Sequence, residues 1–139
     1  MFICSWAAAS GPEFHPHASS SAEERARWDL GMGRFNRDLK KVEKFFLGVL
    51  NGRLKTLEEI DRVGFSFFGE QGPWYTVGYR MAVTIERQEG RARLIEWMTD
   101  VRRLVPAYNR AAAARNATTR GKLALWSAEL IGLIQSDEP

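Results

Sequence analysis

An all-α fold, a compact bundle of about five to six helices, is predicted by three observations on this chain. Apolar side chains recur at three- and four-residue spacing, most clearly at Phe35, Leu39, Val42, Phe46 and Val49. Helix-start signals stand ahead of such runs: Ser21 with Glu24 and Thr56 with Glu59 have the Ser/Thr-x-x-Glu form of a capping box, and Gly72-Pro73 opens a further run. No alternating strand pattern and no internal repeat breaks the helical period.

In chain order, residues 1–20 read as an irregular or disordered tail and residues 21–139 as a single helical domain. The tail carries Gly11-Pro12, Phe14-His15-Pro16-His17 and the serine cluster ending at Ser21, and with histidine counted neutral its only charged residue is Glu13. The first helix is expected from Ala22 to Leu30, stopped by Gly31 or Gly33. The second runs from Phe35 to Leu50 with Gly52 beyond it; Phe45 and Leu47 widen its apolar face, and Lys40, Lys41, Glu43 and Lys44 are expected outside. Thr56 opens the third, with Leu57, Ile60, Val63, Gly64 and Phe67 inward, and Phe65, Phe67 and Phe68 reading as core aromatics.

Pro73 to Glu89 forms the central helix, because Pro73 suits the first helical position and Gly90 can supply a left-handed stop. Trp74, Val77, Gly78, Met81 and Ile85 make one apolar stripe. Tyr75, Tyr79, Ala82 and Glu86 make its neighbour. After Gly90, Leu94, Ile95 and Met98 are expected inward, and Asp100 caps a further turn. Pro106 is expected to interrupt that turn or restart it, Tyr108 and the alanines carry a helix to Arg115, and residues 116–121 read as a loop. Ser127 caps a short last helix through Leu130, Ile131 and Ile134. Asn116-Ala117-Thr118 matches a glycosylation sequon, which matters only in a secreted protein.

The run Gly72-Pro73-Trp74-Tyr75-Thr76-Val77-Gly78-Tyr79-Arg80-Met81-Ala82, followed by Gly90 to Glu96 and by Leu104, Tyr108 and Asn109, resembles the C-terminal helical part of a family assigned as zinc-dependent, gluzincin-like peptidases. The likeness runs from near Trp28 to about Glu129. It implies a His-Glu-x-x-His metal helix upstream of this region, and here the chain departs from the pattern. Its only histidines are His15 and His17, and neither is followed by glutamate. The resemblance therefore implies a chain that holds the half backing the active site and lacks the half that binds metal, with residues 1–20 either native to it or the product of an altered reading start. Zinc belongs to the family resembled, and no cofactor is expected in this chain.

Composition narrows the classes. Hydrophobic residues at 45% and charged residues at 27% are ordinary globular values. Twenty Lys and Arg against seventeen Asp and Glu leave +3, with the two signs interleaved along the helices, so nucleic acid is not an expected partner. No apolar run approaches the roughly 20 residues of a membrane span. Cys4 stands alone, which excludes an internal disulfide and cysteine-based zinc frameworks. A lone thiol, and an apolar Met1–Ala9 opening without a basic segment before it, favour the cytoplasm over secretion.

A metallopeptidase needs two histidines one helical turn apart, a glutamate base, a third ligand and a group to stabilise the oxyanion. The last is the one this chain offers. Tyr75 and Tyr79 are candidate oxyanion or substrate contacts, Trp74 and Glu86 candidate substrate-binding residues, and no residue is assigned to a metal. The alternative for both tyrosines is packing, with their hydroxyls bonded to water or backbone. No Gly-x-Ser-x-Gly elbow or phosphate loop occurs, and Gly31-Met32-Gly33 follows no strand. Two functions are carried forward: the helical part of a zinc-dependent peptidase, inactive alone, and a non-enzymatic helical module whose apolar surface meets a second copy or another protein.

Overall fold

The computed structural model describes residues 21–69 and 71–136, and every regular element in them is a helix. These are α1 (Ala22–Gly33), α2 (Phe35–Leu50), α3 (Leu57–Ser66), α4 (Pro73–Glu89), α5 (Arg91–Trp97), α6 (Val101–Thr118) and α7 (Ala128–Ser136). Among the described residues the helices number seven, where about five to six were expected. Gly90, at φ 85°, turns the chain sharply enough to make α5 a separate helix from α4. The histidine pair, Cys4 and the apolar opening lie outside the described residues.

The expected caps form. Ser21 Oγ accepts from the Glu24 N–H at 3.3 Å, Thr56 and Glu59 close a reciprocal capping box, and Asp100 accepts from the Arg102 N–H. Ser127 Oγ accepts from the Leu130 N–H at 3.2 Å, starting α7. α4 is the hub, packing against α2 and α6 with α1 and α5 also on its flanks. Its stripe of Trp74, Val77, Gly78, Met81 and Ile85 is buried as the spacing predicts. Leu39 and Val42 of α2, Leu94 of α5, and Val105 and Tyr108 of α6 close the core around it. Burying each such side chain contributes about 1.5–3 kcal/mol relative to exposure.

Several boundaries and faces differ from expectation. α1 continues through Gly31 and Gly33, because Gly31 is a contact point: a Cβ there would lie 3.2 Å from Thr76 Cγ2, so the missing side chain lets α1 approach α4. Only Arg34 separates α1 from α2. Leu57, Phe65 and Ile95 are exposed, since α3 and α5 are short helices at the edge of the bundle and cover less of their own circumference. Pro106 neither breaks nor restarts α6. Its missing N–H deprives only the Arg102 carbonyl, in the exposed first turn where water can bond, while buried Leu104, Val105, Ala107 and Tyr108 fix the path around it.

α6 also runs on to Thr118, taking in Asn116, and the chain after it is an ordered strap rather than a free loop. Asn36 of α2 holds the Lys122 carbonyl and the Ala124 N–H at 2.9 and 2.7 Å. Asn116 holds the Leu123 N–H and carbonyl at 2.8 and 2.9 Å, and Asn109 does the same for Trp126 at 2.9 and 2.9 Å. Tyr108 Oη donates to the Ala124 carbonyl at 2.7 Å and Lys40 Nζ to the Leu125 carbonyl at 2.6 Å. Side chains of α2 and α6 thus do for this strap what a neighbouring strand would do in a sheet.

Glu43 belongs to the same arrangement and is buried, where it was expected on the solvent side. Its carboxylate accepts from the Ser127 N–H and from Lys40 Nζ, the latter at 2.8 Å. Burial alone would raise its pKa; the hydrogen bonds from Lys40 and Ser127 outweigh that and hold the carboxyl below its ordinary 4.5.

Candidate functional site

α4 places the sequence-predicted residues, and its N-terminus explains why they face where they do. Gly72 caps the helix, and a Cβ there would fall 2.1 Å from the Phe67 carbonyl oxygen and 2.3 Å from that of Phe68, so no other residue fits between α3 and α4. The Trp74 N–H bonds back to the Phe67 carbonyl at 3.3 Å. From this anchor Trp74 enters the core at 3% exposure. Its Nε1 donates to the Gly64 carbonyl at 2.8 Å, and Phe45, Phe46, Phe67 and Phe68 surround the ring.

Tyr75 and Tyr79 are half-buried on the neighbouring face, one turn apart as the spacing predicts. The Tyr75 ring stands edge-on to Phe68, with centroids 6.2 Å apart, and Tyr79 stands edge-on to Trp28 of α1 at 4.9 Å. Burial raises the Tyr79 phenol above its ordinary value, so it stays protonated and a hydrogen-bond donor at neutral pH. Glu86, further along the same face, pairs with Arg91 at 2.9 Å. Two cavities are lined by other residues.

The first is apolar, about 320 Å³, and lies where α2, α3, α6 and α7 meet. Phe45, Phe46, Ile60, Val105, Leu130 and Ile134 line it, and Leu50 and Val101, exposed at 38% and 42%, stand among the same lining. The second, about 170 Å³, is basic. Met32, Gly33, Phe35 and Asn36 form one wall at the α1–α2 junction; Arg80 of α4, Arg115 of α6 and Lys122 of the strap bring three cations to it.

Sequence reasoning passed over Arg80, although it sits inside the central run. Thr76, Arg80 and Thr84 form a third stripe at four-residue spacing, and both threonines are buried, at 0% and 7%. An arginine between two buried threonines has its stem carried inward. That spacing was the available signal.

The sequence model of one protein family, described as "Putative zinc dependent peptidase", matches residues 7–117. The match begins inside the segment that composition sets apart as a tail, earlier than Trp28, and ends before the strap. No curated protein and no solved structure matches the chain. The family description implies zinc. Among the described residues no three His, Cys, Asp or Glu side chains are grouped so as to hold a metal ion, so those residues do not fit zinc and no step is derived through it.

Proposed function

The chain belongs to that family, and from this membership we propose that it is the helical part of a gluzincin-like zinc-dependent peptidase, without the metal motif and without peptidase activity alone. The observation that carries the reading is the donor set. The full sequence holds two histidines, two residues apart, and no His-Glu-x-x-His. In this reading the α4 face with Tyr75, Tyr79 and Glu86 is turned towards the metal-binding part, and the protonated Tyr79 phenol is suited to donate to a carbonyl oxygen that gains charge.

The test is elemental analysis of the purified protein, together with cleavage of an unfolded protein substrate with and without chelator. Substoichiometric zinc and no chelator-sensitive cleavage are expected. One zinc per chain with chelator-sensitive cleavage overturns the proposal.

A second reading is favoured by one observation: the apolar cavity shares its lining with exposed Leu50 and Val101. A surface of this kind is suited to a protein partner, and a second copy of the chain is the partner to test first. No helix among the described residues is long and apolar enough to cross a membrane. What supports a cytoplasmic location is the single Cys4, which suits a reducing compartment.

A further inference from the structure

The basic cavity contains a charge that the surrounding protein leaves uncompensated. Arg80 is half-buried, forms no ion pair among the described residues, and its Nε is enclosed without any hydrogen-bond partner. Arginine cannot shed its proton to escape this, so the cost of partial desolvation stands. The Phe35 ring, 6.0 Å from the guanidinium carbon, offers a weak π contact. Arg115, the next cation, adds repulsion: burial first and Arg115 second lower the Arg80 pKa.

The other two cations are held in place but not neutralised. Arg115 Nη1 donates to the Gly121 carbonyl at 2.6 Å, and Lys122 Nζ donates to the Asn116 carbonyl. Each therefore spends one donor on a neutral carbonyl and keeps others. No carboxylate is among the residues that line the cavity. The strap wall is also pinned at Lys122, because Asn36 donates to the Lys122 carbonyl and Asn116 accepts from the Leu123 N–H next to it. Three cations on rigid supports around about 170 Å³ form a preorganised cradle for negative charge.

We propose that this cavity binds a small oxyanion, a carboxylate or a phosphate group. The bound anion meets the Arg80 guanidinium, offsets its desolvation and relieves its repulsion with Arg115. The site is independent of the peptidase reading, since it draws on no metal and none of its cations is in the tyrosine face.

The test follows the backbone amides of Gly33, Gly121 and Lys122 by NMR while acetate, and separately inorganic phosphate, is titrated at constant ionic strength against chloride. Saturable single-site shifts are expected with at least one of the two, and acetate alone or phosphate alone identifies the headgroup. Arg80→Met should weaken binding about tenfold or more, as loss of a charged contact does. Arg62→Met on the exposed side of α3 should leave it unchanged. Should Arg80→Met fail to fold, Lys122→Gln, at an exposed position, replaces it with a several-fold loss expected. Linear shifts with both anions, or a folded cavity variant that titrates as the wild type does, overturn the proposal.

Discussion

Gly72 acts through the side chain it lacks. Its φ of −68° is available to any residue, so backbone freedom is not the reason for glycine here. The reason is space: two backbone carbonyls of the α3–α4 turn stand within 2.3 Å of where a Cβ would be. Gly72→Ala should therefore shift the start of α4 and destabilise the fold by about 3 kcal/mol, the upper range for overpacking. Urea unfolding checks this, and a loss below about 0.5 kcal/mol, the range of ordinary surface changes, would show that the turn yields. Gly72-Pro73 was readable as a helix start. That the glycine is obligatory there was not, because carbonyls brought up by the turn, not the dipeptide, impose it.

Among the elements, the strap after α6 shows how hydrogen bonds replace regular structure. Its polar groups are taken by Asn36, Asn109, Asn116, Tyr108, Lys40 and Glu43, all from helices. Glu43 also gives the element a pH dependence with a definite sign. A carboxyl whose folded pKa is depressed stabilises the fold above its unfolded pKa, and that stabilisation is lost as pH falls through the lower folded value. Stability should hold from neutrality down to about the ordinary value of 4.5 and fall below it. Glu43→Gln should cost about 1.5–3 kcal/mol at pH 7, the range for a hydrogen bond to a charged group, and should flatten the acid side of the curve. Chemical denaturation at pH 7 and pH 3.5 measures both; parallel losses in wild type and variant would remove Glu43 from the account. Helical periodicity assigned Glu43 to solvent because the lysines beside it mark a polar face. Its partner, the Ser127 N–H, is 84 residues away in sequence and has no local trace.

For the whole molecule, the apolar cavity and its exposed rim decide between a self-contained bundle and one that associates. Leu50→Lys combined with Val101→Glu changes two exposed rim positions, so each should alter stability by no more than about 0.5 kcal/mol. If a second copy occupies this surface, sedimentation should show a dimer for the wild type and a monomer for the double variant. Equal masses for the two would dismiss this face as the contact. Much of the architecture was legible in advance: the all-helical class, the bounds of α2 and α4, four side-chain caps and the buried stripe of α4 follow from residue spacing and from hydrogen bonds reaching two to four residues. These are short-range, and their determinants lie within one or two turns of chain. What had no such determinant was the outward turn of Leu57 and Ile95, the passage of α6 through Pro106, the burial of Glu43 and the meeting of Arg80, Arg115 and Lys122. Each depends on which surfaces the packed helices bring together, and the free energy of burying or pairing a group is set by neighbours distant in sequence.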